Sequence, residues 1–182
     1  MSLDQLTPGT WTVDTPHSTI GFVARHMMLS KVRGRFTEFT ASIEVADPPQ
    51  SSTVFAEVQM ASVTTGEEGR DDHLRTNDFF DVENHPTMTL RSTGFEADGD
   101  DGDDYVMHAD LTIKGTTLPV DFELEFDGVG QDPWGGTRAG FTASTTINRR
   151  DFGVEWNAPL ETGGVLVGDK VAIELDVQLV KA

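Results

Sequence analysis

Alternation constrains this chain more than any other feature. In Leu118-Pro119-Val120-Asp121-Phe122-Glu123-Leu124-Glu125-Phe126 every even position is apolar and most odd ones are acidic. Such a segment is satisfied as a strand with one face covered and the other in water. Phe39, Ala41, Ile43 and Val45 alternate with Thr40, Ser42 and Glu44 in the same way, and Val171, Ile173, Leu175, Val177 and Leu179 with Glu174, Asp176 and Gln178. Tyr105, Met107, Ala109, Leu111 and Ile113 oppose His108, Asp110, Thr112 and Lys114. Weaker versions run from Ile20 to His26, Val54 to Val63, Thr87 to Arg91 and Arg138 to Ile147, and with Trp11 to Val13 about nine strands are expected.

The connections leave little room for helix. The best candidate is Glu67 to Arg75, with acidic residues early and no β-branched run. Lys114-Gly115-Thr116-Thr117 separates two alternating runs so closely that it predicts a hairpin, Gly115 supplying any positive φ. Asp98 to Asp104 predicts a solvated acidic loop, and its order of residues does not fit a calcium-binding hand. Phe79 and Phe80 stand in a polar connection and need apolar cover, which capping one end of a barrel would provide. Gly153 to Asp169 predicts a long irregular connection.

One-sided alternation without crossovers implies an all-β, antiparallel sheet that closes into a barrel or doubles into a sandwich. Ala41, Ala56, Ala109, Ala139 and Ala143 on the apolar faces would leave volume unfilled. Equally, they would interdigitate with Phe22, Phe39, Phe122, Phe126 and Phe141 in a solid core. Both readings stand at this level.

With 182 residues, a single domain with its core at about 10–181 is expected. The 31 Asp and Glu against 13 Lys and Arg give a net charge of -18, which disfavours nucleic acid and docking on anionic membranes by overall charge. Cysteine is absent, excluding disulfides, thiolate nucleophiles and Cys-based metal sites. No apolar run approaches the roughly 18 residues of a spanning helix, so stable membrane insertion is not expected. The opening residues lack a basic, then apolar, leader pattern, so a cytoplasmic location is expected.

Catalytic signatures are weak. His17, His26, His73, His85 and His108 include no pair at metal-ligand spacing, and no G-x-S-x-G occurs. Gly163 to Lys170 fails as a phosphate loop, with Asp169 where the lysine belongs. Neither cofactor nor metal is expected. Arg70-Asp71-Asp72-His73-Leu74-Arg75 and Asn148-Arg149-Arg150-Asp151-Phe152-Gly153 mix Arg with Asp. Arg70, Asp71, Asn148, Arg149 and Asp151 are therefore expected at buried or half-buried loop junctions, as Arg-carboxylate locks, with ligand head-group contact as the sharper alternative.

The ordered phrases Trp11-Thr12-Val13-Asp14 with His17-Ser18, Phe22 with His26, Gly34-Arg35-Phe36, Arg70-Asp71-Asp72-His73-Leu74, Asp78-Phe79-Phe80-Asp81, His85-Pro86, Leu111-Thr112-Ile113-Lys114-Gly115 and Ile147-Asn148-Arg149-Arg150-Asp151-Phe152-Gly153 resemble the YceI family of polyisoprenoid-binding, lipocalin-like proteins. The resemblance implies an antiparallel barrel of about eight strands around an apolar pore, with a short helix over its mouth. It further implies non-catalytic binding, storage or transport of a long-chain isoprenoid, such as an isoprenoid quinone or polyprenyl phosphate, or a similar amphiphile. A homodimer is left open.

Strand faces then nominate the pore lining: Phe22, Phe39, Ile43, Met60, Met88, Met107, Leu111, Val120, Phe122, Phe141 and Ile173. His26, Arg70, His73, Phe79, Phe80 and Arg149 are the candidates for the mouth or a head group. Two other classes stay open: an enzyme acting on bound lipid with His26, His73 or an adjacent Asp as base, and a filled sandwich acting through its acidic surface.

Overall fold

A computed structural model describes residues 2–99, 102 and 104–182. Its strands are β1 (Gly9–Val13), β2 (Thr19–His26), β3 (Ser30–Phe36), β4 (Phe39–Val45), β5 (Thr53–Gln59), β6 (Val63–Thr64), β7 (Thr87–Ala97), β8 (Asp104–Ile113), β9 (Thr116–Gln131), β10 (Thr137–Asn148) and β11 (Val167–Lys181). The helix α1 spans Glu68–Arg75. Eight strands close a ring in the order β1-β4-β5-β7-β8-β9-β10-β11 and back to β1. The protein is thus an antiparallel up-and-down barrel, and the sandwich alternative is overturned by the β1 to β11 pairing that seals it.

The remaining three strands extend the ring at one end. β11 pairs with β1 at Leu179 to Lys181 and with β2 at Val167 to Asp176, so β1 and β2 act as one long strand broken at Asp14 to Ser18. β3 continues into β4 and β5 toward β6 in the same way, and β2-β3-β6 form the upper wall. The upper end carries the 27–29 turn, α1 and the 114–115 turn. At the lower end lie the N-terminal segment, the 46–52 connection and the 132–136 turn.

Local chemistry accounts for these elements. Lys114 and Gly115 both take positive φ (50° and 78°), the twist that suits a two-residue hairpin. Glu67 caps α1, its carboxylate accepting from the amides of Gly69 (3.0 Å) and Arg70 (2.6 Å). Where β1 breaks into β2, Arg138 donates to Asp14 and to Asp132 (2.9 Å), tying that seam to the β9-β10 turn.

Three strands depart from expectation, the first being the run from Val54 to Val63, which the 3-10 turn Met60–Ser62 breaks into β5 and β6. β3 was not expected, because Lys31, Arg33 and Arg35 flank Gly34, which carries no side chain to mark the inner face. Its ring neighbour Phe22 fills that place: a Cβ on Gly34 would fall 2.2 Å from the Phe22 ring. β7 runs on to Ala97 rather than ending at Arg91, since a register shift between Ser92 and Gly94 interrupts its alternation. Of the expected acidic loop, Asp100, Asp101 and Asp103 lie outside the described residues.

Candidate functional site

The barrel encloses an apolar cavity of about 170 Å³. It extends from Ile20, Phe39, Met88 and Leu111 in the middle of the barrel down to Val45, Pro49 and Ser52 at the lower end, and Ser52 and Thr89 are its polar residues. Alternation puts these side chains inside: Met107 sits opposite Phe122, and Ala143 opposite Leu124, on paired strands. No ionisable side chain lines it among the described residues, so the space is suited to hydrocarbon.

Of the nominated lining, Phe39, Ile43, Met88, Met107, Leu111, Phe122, Phe141 and Ile173 border this cavity. Phe22, Met60 and Val120 do not. Phe22 is spent covering Gly34 and stacks near Phe36, ring centres 5.7 Å apart. Met60 belongs to a 3-10 turn after β5, where strand alternation no longer sets direction, and is almost fully buried in the upper core. Val120 faces inward yet packs between the middle and upper clusters. Sequence reasoning missed Leu3 and Leu6, which close the lower end from a 3-10 turn at the N-terminus. Their i, i+3 spacing was the available signal.

The alanines divide between the two readings left open by the sequence. Ala41, Ala56 and Ala143 border the cavity, whereas Ala109 and Ala139 are buried among its wall residues without lining it. Above the cavity the barrel is filled by Phe36, Phe39, Met60, Val63, Ile113 and Phe152, with Phe22 and Phe80 packed against them.

That plug separates the expected head-group residues from the cavity, and none of them lines it. His26 is exposed at the end of β2. Phe80 tilts onto Phe36 at 6.0 Å. His73 pairs with Asp78 (2.8 Å) and meets Phe79 and Trp156 edge-on at 5.0 and 4.7 Å. Phe79 is buried. The general-base alternative therefore has neither histidine at the apolar space.

Arg149 is a lock, as expected, but not chiefly to carboxylate. At 5% exposure it donates to the carbonyls of Gly168 (2.9 Å), Val154 (2.7 Å), Trp156 (2.9 Å) and Val167 (3.3 Å), with Asp169 3.7 Å away. Burial pulls its pKa below the usual guanidinium value, and Asp169 opposes that shift. Asp71 is also buried, accepting from the Thr65 amide (2.7 Å) and hydroxyl (2.6 Å). Arg70, Asn148 and Asp151 are exposed instead. Arg70 lies over the same loop from outside, donating to the Thr65 hydroxyl and carbonyl.

The profile of the YceI-like domain matches residues 11–179, nearly the whole barrel. The chain belongs to the YceI-like family. It is 37% identical over 167 residues to a UPF0312 protein of Staphylococcus epidermidis, covering 91% of this chain and 94% of that one. A UPF0312 protein of Staphylococcus aureus is 35% identical over 171 residues, covering 92% and 95%. Among solved structures, Burkholderia cenocepacia BcnA superposes with a TM-score of 0.78 at 23% identity, over 91% of this chain and 98% of that one. A polyisoprenoid-binding domain from Saccharophagus degradans superposes with a TM-score of 0.72 at 16% identity, over 94% and 98%. These structures share the barrel fold. No helix in this one is long and apolar enough to cross a membrane among the described residues.

Proposed function

We propose that this YceI-like barrel binds the hydrocarbon tail of a long-chain isoprenoid, an isoprenoid quinone, a polyprenyl phosphate or a similar amphiphile, and stores or carries it without chemical change. The observation that carries this reading is the cavity walled by apolar side chains, among them eight of the eleven nominated lining residues. The polyisoprenoid-binding neighbour of the same fold supports it. Each Å² of apolar surface withdrawn from water contributes roughly 25 cal/mol, less the ordering of a flexible tail. Apolar cavities of about 150 Å³ stay dry and admit a benzene-sized group. The resting space of about 170 Å³ therefore takes one branched segment of a tail, and a longer one enters as Met88 and Met107 change rotamer.

The test compares Phe122→Asp with Glu123→Lys. These neighbours face opposite sides of β9: Phe122 is 1% exposed on the cavity wall, and Glu123 is in water. Titration of a fluorescent long-chain isoprenoid should show binding to wild type and Glu123→Lys, and none to Phe122→Asp, since a carboxylate in hydrocarbon surroundings is strongly disfavoured. Circular dichroism checks that all three are folded. Failure of the wild-type barrel to bind, or equal binding by all three, refutes the proposal.

A further inference from the structure

The net charge of -18 is unevenly spread. Between Asp14 and Glu38 there is no Asp or Glu, yet Arg25, Lys31, Arg33 and Arg35 fall there. The β2-β3 hairpin places all four on one outward face, with Arg25 directly opposite Lys31. Like charges across a ladder repel. Arg33 has a partner, Glu174 at 3.4 Å, both ends exposed. Arg25, Lys31 and Arg35 have no side-chain partner among the described residues.

The turn joining these strands is apolar and uncovered. Met27, Met28 and Leu29 are 37%, 63% and 78% exposed. Met27 and Met28 both hold positive φ (53° and 58°), a conformation costly for side chains with a Cβ, where Asn-Gly would be at ease. The Leu29 amide donates to the His26 carbonyl (3.0 Å) and the Met27 amide to the Leu166 carbonyl (2.8 Å), so the tip is held in place. β3 pairs with β6 only at Arg35 and Phe36, leaving its Ser30 to Gly34 edge open beside the tip. Nothing in folding calls for three large apolar side chains in water above four cations.

We propose that the 27–29 turn is a membrane-docking tip: Met28 and Leu29 enter the lipid interface while Arg25, Lys31 and Arg35 engage anionic head groups. Repulsion by the acidic remainder is screened beyond about 8 Å at physiological salt, so the local cations decide the contact. Glu174 pairs with Arg33, and Asp169, beside the Gly168 that abuts Arg25, pairs with Arg150, so both acids temper the patch. A two-fold contact between copies through the tip would bring cations against cations, which favours the lipid surface over a dimer. The inference does not depend on what fills the cavity.

Co-sedimentation with phosphatidylglycerol-phosphatidylcholine vesicles and with phosphatidylcholine vesicles tests it. The full chain should pellet with the anionic vesicles and be released at high salt. Each basic side chain near such a surface is worth roughly a factor of five, so Arg25→Glu with Lys31→Glu should lower binding at least about tenfold. Met28→Asp with Leu29→Asp, exposed turn positions, should do likewise. Trp134→Ala, which alters the exposed tip at the opposite end, should leave binding unchanged. No preference for anionic vesicles, or binding untouched by both double variants, overturns the proposal. So does light scattering that shows a dimer lost in Met28→Asp with Leu29→Asp, which would assign the tip to a second copy. Isoprenoid titration of these variants should match wild type, which keeps this outcome separate from the cavity test.

Discussion

The upper and lower parts of the barrel follow the same alternation and differ in what the inward positions hold. Above, Phe22, Phe36, Phe80 and Phe152 meet Met60 and Ile113, and none of these borders the cavity. Below, Ala41, Ala56 and Ala143 stand among Ile43, Leu124 and Val177 and the wall stands apart from itself. The difference teaches that a strand pattern decides which side is inside, and side-chain volume decides whether the inside is core or cavity. On the proposed function the two ends have separate tasks: the upper plug bears stability, and the lower hollow takes the tail.

Removing a support of the plug should have the largest effect. Arg149→Ala leaves four carbonyls without their donor, and since each buried carbonyl left unpaired costs about 1–3 kcal/mol, the total should reach about 3–5 kcal/mol. A fall in Tm of about 10 °C would register it in thermal unfolding. Phe36→Ala, which empties the aromatic stack, should cost about 3–5 kcal/mol. On the cavity wall, Met107→Ala should fall at the low end, about 2 kcal/mol, since its neighbours already lack close partners on one side. Equal losses for Phe36→Ala and Met107→Ala in chemical denaturation would show the two regions to be equally packed.

The same contrast can be sharpened by adding volume. Ala109 is 1% exposed and does not border the hollow, so Ala109→Leu should destabilise by about 1–3 kcal/mol. Ala56 borders the hollow, so Ala56→Leu should change stability by less than about 1 kcal/mol while weakening isoprenoid binding. Denaturant midpoints together with the fluorescent titration separate the two. If Ala56→Leu costs as much as Ala109→Leu, the hollow closes in solution.

How much of this was legible follows from the same physics. β9 announces itself because its outer face is acidic and its inner face is not, whereas β3 hides because a glycine stands where its central inward side chain should be. Glu67 ahead of a β-branch-free run marks α1 to within a residue. The cavity was only half legible: alternation lists inward residues, but the register that sets Ala56 beside Ala41 and Leu90 comes from pairings many residues apart. Arg149 shows a different limit. Its charge suggested acidic partners, yet it is held by carbonyls, which every residue carries and no sequence pattern marks.

A pH-dependent effect concerns the loop beneath α1, where Asp71 is buried. Burial by itself would raise its pKa, but the hydroxyl and amide of Thr65, with the hydroxyl of Thr64 and the charge of Arg75, outweigh it and hold the carboxyl below its ordinary value. A carboxyl whose pKa is lower folded than unfolded contributes stability that is complete above the unfolded value near 3.9 and is lost as pH falls through the folded one. Asp71→Asn keeps an acceptor for Thr65 but loses the charge that strengthens both hydrogen bonds, so at neutral pH it should cost about 1 kcal/mol. Because the variant has no proton to bind there, its deficit should shrink on acidification below pH 4. Thermal unfolding of both proteins from pH 7 to pH 3 would show the curves converging. A gap constant across that range would mean the carboxylate form is no better bound than the neutral one, and that the loop is held by shape alone.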